Sequence, residues 1–319
     1  MDETKRFIEE FDILKAKDVI GNQLHKTPLI HSSYLNKLLG IDLYLKCELF
    51  QKTGSFKPRG VLNKLHSIKP ENMKRGVVSI SAGNYAQALA WGSSLYGVKS
   101  TIVMPASAVT SKIEATRNYG GEVILTNENL LDTCLSIQQE RELTMMHPFD
   151  DLHLIAGHGT AGFEIIEDLS DVDTILVSIG GGGLISGIAT AAKIRNPNIK
   201  IIGVEPVGAA AMFKSLEKNE PVTLDQTDTI ADGLAAPFAG VHTLAHVQKY
   251  VDEVVLVEDE DIKQAMKLIL ERCKILAEPA AAASLAAILS NKVKLMSESK
   301  VVCVLSGGNI DNERLKLYL

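Results

Sequence analysis

The chain has 319 residues, 46% hydrophobic and 23% charged. That is enough apolar side chain for one large or two modest cores, which excludes a disordered or collagen-like chain. Its formal net charge of -6 argues against nucleic acid or an anionic membrane as partner, since either needs a basic face to neutralise phosphates, and favours small neutral or zwitterionic ligands.

In chain order, the N-terminal stretch MDETKRFIEEFDILKAK alternates acids and bases and lacks the apolar run of a signal peptide or membrane span. The segment 51–60, QKTGSFKPRG, sets Lys57 behind Phe56 at the mouth of a helix. A lysine so placed can be desolvated and its amine kept partly neutral, as Schiff-base chemistry requires. Short β-branched runs follow at 77–80, 101–104, 122–125, 174–179, 200–204, 254–257 and 301–305, with helix-period segments between them. This alternation predicts a parallel α/β protein. Helices are expected over 84–96, closed by Gly97, over 112–119, closed by Gly120, and over 259–274, with the acidic run 258–261 at its start complementing the helix dipole. The alanine-rich stretch 280–287 predicts a tightly packed helix, and 146–151 a crossing between sub-domains.

Three loops follow strands and open onto small residues. Gly180, Gly181, Gly182 and Gly183 run into a helix that reaches Arg195. Backbone amides at a helix N-terminus bind anions, and glycines let a phosphate come close. No Gly-Lys-Ser/Thr follows and no register gives G-x-G-x-x-G, so a single phosphate is the simplest ligand and a tight turn without ligand is the alternative. The loops Ser81-Ala82-Gly83-Asn84 and Ser306-Gly307-Gly308-Asn309 end strands in the same way. In parallel sheets ligands gather beyond the carboxyl ends of strands, so the three can line one cleft; each alone also reads as an ordinary turn or cap. Cys47, Cys134, Cys273 and Cys303 form no C-x-x-C pair, which makes a reducing, cytoplasmic compartment the default.

Lys57 in GSFKPRG, Asn84 in SAGN, the tetraglycine loop and Ser306 in SGGN together resemble the fold-type II pyridoxal-phosphate enzymes, in particular the serine/threonine dehydratases and serine racemases. The likeness runs from about Lys26 to Asp311 and takes in AGHGTAG and TIADGLA. It implies a tryptophan synthase β-like α/β fold of two doubly wound sub-domains, a small one over 50–146 and a large one over 1–49 and 147–319, with pyridoxal 5'-phosphate between them. By the same resemblance Lys57 carries the cofactor as a Schiff base and removes the substrate's α-proton. Phe56 lies against the ring, Asn84 meets the ring hydroxyl, and Gly180 to Gly183 with the amide of Leu184 bind the phosphate. Ser306 meets the pyridine nitrogen without protonating it, which weakens the electron sink and favours rapid loss of a β-substituent. Ser81, Ala82, Gly83, Asn84 and Tyr85 hold the substrate carboxylate. The reaction implied is deamination of L-threonine, and of L-serine, to a 2-oxo acid and ammonia in a homodimer or homotetramer.

Serine racemases carry a second serine where this chain has Ala82, and racemisation needs an acid and a base on opposite faces of the α-carbon, so Ala82 argues for elimination. Ala236 likewise replaces a substrate-contacting serine, and Tyr85 stands where histidine is usual. Glu205 follows the GVEP strand but the matching second acid is Ala211, so no metal is expected. His242 and His246, four apart, could clamp zinc from one helix face but lack completing ligands, and are expected as surface or capping residues. A threo-3-hydroxyaspartate dehydratase would need a cationic pocket that the sequence does not locate. From another class, a nicotinamide-dependent dehydrogenase would use Glu205 on a ribose, but the glycine pattern is wrong for it. Lys52, Thr53, Gln87 and Tyr119 resemble the nucleotide-contacting positions of serine racemase, which leaves a nucleotide effector open. The chain stops at Leu319, so feedback through a C-terminal regulatory domain is not expected.

Overall fold

The computed structural model describes residues 7–319; the first six residues of the acidic-basic N-terminal stretch lie outside them. Among the described residues ten strands form: β1 (Leu29–His31), β2 (Asp42–Cys47), β3 (Val77–Ile80), β4 (Ser100–Pro105), β5 (Glu122–Thr126), β6 (Thr144–Met145), β7 (Thr174–Ser178), β8 (Lys200–Pro206), β9 (Glu253–Val257) and β10 (Lys300–Leu305). They make a six-stranded sheet in the order β1-β2-β10-β7-β8-β9 and a four-stranded sheet in the order β5-β4-β3-β6. Only the β1–β2 pair is antiparallel; the other pairs run parallel. The seven β-branched runs all form strands; β7 and β10 are buried on both faces, the condition under which a continuous apolar run pairs in parallel, whereas β5 and β9 at the sheet edges are more exposed.

Helices cover the sheets. The alanine-rich stretch is the helix Pro279–Leu289, buried throughout its middle; small side chains let it lie close to the large sheet. The acidic run starts the helix Asp259–Leu268 as expected, but Ile269–Cys273 widens into a π-helical turn that ends at Lys274 with φ 60°. A single α-helix over 259–274 is therefore corrected to an α-helix followed by a wider turn. The 146–151 segment leads from β6 into the helix Leu152–Asp168, and Asp150 accepts the N–H groups of Val241, His242 and Thr243 at 2.9–3.0 Å. That carboxylate satisfies three orphan donors at the start of the helix Val241–Tyr250. His246 in this helix is fully buried rather than on the surface; its Nε2 accepts the Ile8 N–H at 3.1 Å, and burial lowers it to about 4. No helix among the described residues is long and apolar enough to cross a membrane.

Candidate active site

Loops at the carboxyl ends of β3, β7 and β10 meet around a cavity of about 340 Å³, the size of a small-molecule site. Its lining takes in every residue singled out in the sequence for cofactor or substrate: Phe56 and Lys57, Ser81 to Tyr85, Gly180 to Leu184, and Ser306. Glu205, Lys52, Thr53, Gln87 and Tyr119 are not part of that lining.

Lys57 opens the helix Lys57–Ser67, with Pro58 in its first turn where a missing N–H does no harm. Backbone bonds fix the segment before it to the loop after β10: Phe56 N–H donates to the Ser306 carbonyl at 3.1 Å and Gly308 N–H to the Gly54 carbonyl at 3.0 Å. Lys57 and Ser306 therefore share one wall. The Lys57 ammonium donates to the Pro148 carbonyl at 3.2 Å and stands 4.9 Å from the centre of the Phe56 ring. Burial lowers it to about 8, against an upward pull from Glu278, so its neutral form is accessible near neutral pH.

The glycine loop joins β7 to the helix Gly183–Arg195. Gly182 has φ +90°, and a Cβ on Gly181 would lie 2.2 Å from the Phe149 ring, so neither position admits an ordinary side chain. The first amides of the helix have no partner within it and carry the positive end of its dipole, which suits a phosphate. Two buried hydroxyls of the lining, Ser178 Oγ and Tyr85 Oη, have no hydrogen-bond partner among the described residues. Unmet donors of this kind beside an anion-binding turn fit a polar, phosphorylated group.

The sequence reading missed several lining residues, among them Lys112, Asp232 and Glu278. Glu278, just before Pro279, is buried in the cavity wall and receives the Asn84 Nδ2 hydrogen bond at 2.7 Å. Asn309 Nδ2 donates to Asn84 Oδ1 at 2.8 Å and to the Thr53 carbonyl at 2.7 Å, so both ends of the Asn84 amide are held. Burial pushes the Glu278 carboxyl up to about 8. Its sequence signal was an acid directly ahead of a proline-started, alanine-rich stretch. Glu205, by contrast, turns away from any ligand: it is buried and accepts the Met212 and Phe213 N–H groups at 2.9 and 2.7 Å. It caps the next helix, which removes the ribose-binding role that its spacing allowed.

Residues 20–307 match the family described as pyridoxal-phosphate dependent enzymes. The chain is 47% identical to the L-threonine ammonia-lyase of Geobacter sulfurreducens over 96% of its own length and 77% of that protein's. Among solved structures it is similar to maize serine racemase, with a TM-score of 0.93 and 38% identity over 98% of this chain and 97% of the other. The processed form of threonine deaminase isoform 2 from Solanum lycopersicum matches with a TM-score of 0.89 and 33% identity, over 98% of this chain and 89% of that one.

Proposed function

We propose that this chain, which belongs to the pyridoxal-phosphate dependent enzyme family, is an ammonia-lyase that converts L-threonine, and L-serine with it, to a 2-oxo acid and ammonia. The observation that carries the reading is Lys57: a half-buried amine, lowered to about 8, in a cavity that the glycine loop and the 81–85 loop also line.

Bound pyridoxal phosphate supplies an electron sink for negative charge developing on the carbon that bears the substrate's amino group. Lys57 would hold the cofactor, the amides of Gly180 to Leu184 its phosphate, Asn84 its ring hydroxyl and Ser306 its ring nitrogen. Lys57 Nζ then serves as general base at the α-proton, a role its depressed basicity suits. Asn84, clamped by Glu278 and Asn309, reaches its place without rotamer freedom to lose. Backbone N–H groups of Ser81 to Tyr85 would receive the substrate carboxylate, and Ser306 donates a hydrogen bond where a carboxylate would instead protonate. In this reading residues 50–146 are a small sub-domain that covers the substrate against a large one made of 1–49 and 147–319, excluding water during loss of the β-hydroxyl.

Racemisation is the second reading, favoured by the likeness to maize serine racemase. It needs a proton donor across the substrate from Lys57, and Ala82 in the cavity wall offers none. Release of 2-oxo acid from L-threonine, L-serine, D-serine and threo-3-hydroxyaspartate, measured side by side on cofactor-loaded protein with chiral analysis of recovered serine, decides between them. We expect 2-oxobutyrate from threonine with little D-serine, and complete loss of turnover in Lys57→Ala; D-serine accumulating faster than pyruvate would overturn the lyase reading.

A further inference from the structure

Among the described residues four charged side chains line the cavity: Lys57, Lys112, Asp232 and Glu278. Glu278 is buried in its wall and Lys57 half-buried, whereas Lys112 and Asp232 pair with each other at 15% and 39% side-chain exposure. Lys112 lies in the first turn of the helix Thr110–Asn118, which packs beside the four-stranded sheet. Asp232 begins the turn Asp232–Leu234, which packs against the helix Pro279–Leu289 of the larger sheet. The pair therefore joins the two halves of the molecule across the cavity. Asp232 also accepts from Arg314 at 2.9 Å, and Arg314 lies 3.7 Å from Asp311. Two cations and two carboxylates thus cancel, and the field of the pair reaches the wall: after burial itself, Asp232 is the next cause raising the Glu278 carboxyl, while Lys112 lowers it.

We propose that Asp232 sets the substrate class of this cavity: by holding Lys112 it occupies the cation that a second substrate carboxylate would need, so neutral side chains are admitted and acidic ones refused. Lys57 cannot serve in its place, since on the reading above, on which this inference rests, it is committed to the cofactor. A dicarboxylic amino acid would have to part the Lys112–Asp232 pair or sit unpaired beside Asp232 and Glu278. Leaving charges without partners against the wrong ligand is an effective means of discrimination. It also accounts for the cationic pocket that the sequence did not reveal: the lysine is present and already neutralised.

L-aspartate and L-asparagine are nearly isosteric and differ by one charge, so their dissociation constants on the cofactor-loaded protein, measured by calorimetry, isolate the effect. In Asp232→Asn the preference for aspartate over asparagine should rise about tenfold, equivalent to ~1.4 kcal/mol, and should fall back to the wild-type ratio in Asp232→Asn/Lys112→Met. The ratio of threo-3-hydroxyaspartate to threonine turnover should move the same way. A rise below about threefold in the single variant, or one that survives in the double variant, overturns the proposal. Lys112→Met alone gives an independent check, since it should leave aspartate as poorly bound as in the wild type, and tighter aspartate binding there would also overturn it. Neither ligand has a β-hydroxyl, so this ratio reads Asp232 even if the wild type released no 2-oxo acid from threonine, a result that would defeat the lyase reading alone.

Discussion

Lys57 and Arg59 stand two residues apart in one helix, the first half-buried and the second fully buried, and the fold treats them in opposite ways. Lys57 faces the cavity with a carbonyl at 3.2 Å as its hydrogen-bond partner, and burial lowers it to about 8. Arg59, 1% exposed, faces the other way into a closed network. It donates twice to Glu48, at 2.8 Å each, and twice to Glu164, at 2.7 and 2.8 Å. Lys46 Nζ completes the group on Glu164 at 2.6 Å, and Thr27 Oγ1 donates to Glu48 at 2.6 Å. Burial works against the Arg59 charge, but Glu48 and then Glu164 more than offset it and raise its basicity. What burial does to a cation thus depends on the carboxylates buried with it. One of the two is made reactive; the other anchors the start of the helix that carries the reactive one.

The sharpest way to break this contrast is to delete each cation and follow folding. Arg59→Met strands two carboxylates opposite Lys46 alone and should cost about 3–5 kcal/mol, as removing one side of a buried ion pair does. Lys57→Met removes an ammonium that burial already disfavours and should leave stability within about 1 kcal/mol of the wild type. Urea midpoints of the two cofactor-free variants check the pair, and equal losses would show that Lys57 is also part of the scaffold.

The sequence carried the reactive half of this comparison more plainly than the supporting half. Lys57, the glycine loop and Ser306 lie in short local motifs whose spacing announces their chemistry, and β7 and β10 are apolar runs that admit one reading. β2 was not anticipated, because Asp42 and Lys46 interrupt its pattern, and Lys46 is tolerable inside through Glu164, 118 residues away, and the Thr27 carbonyl. The antiparallel edge strand β1 and the two-residue β6 are too short to leave a periodic signal. Glu278 escaped for the same reason as Lys46: read alone it is a helix-starting acid, and only the fold brings it to Asn84, 194 residues distant. Local propensity shows where the chain bends and pairs, whereas buried charges are specified by partners that the linear sequence separates.

Acids repeat the contrast at smaller scale. Glu48 is fully buried and burial alone would raise it, but Arg59 outweighs that and lowers its pKa. Glu205 is equally buried, has two backbone N–H donors and no cation, and is pushed up to about 8. Glu48 therefore adds stability above the ordinary carboxylate range that is lost as pH falls through its lowered folded value. Glu205 does the reverse: its contribution is full below about 4.5 and drains away as pH rises to about 8. Glu205→Gln, which keeps the neutral shape, should remove that slope, so the variant gains on the wild type by about 3 kcal/mol between pH 5 and 8, at 1.36 kcal/mol per pKa unit. Melting temperatures of both proteins across that range test it, and parallel curves would show that the two N–H groups hold Glu205 ionised.

The smallest effect returns to Lys57 and asks whether its near-isolation is real. Glu278 is the one group that raises the Lys57 amine against burial. If that carboxyl bears charge when the amine titrates, Glu278→Gln must lower Lys57 below about 8, by less than about one unit. The rate at which cofactor-stripped protein captures added pyridoxal phosphate reports the neutral amine, so its pH midpoint should fall in the variant while the plateau rate at high pH stays within about twofold. Glu278 also receives the Asn84 hydrogen bond at 2.7 Å, which Gln can still accept through its amide oxygen, so the clamp on Asn84 survives and the shift isolates charge. An unchanged midpoint would mean that Glu278 is neutral throughout the range in which Lys57 titrates, leaving burial alone to set the reactivity of the amine.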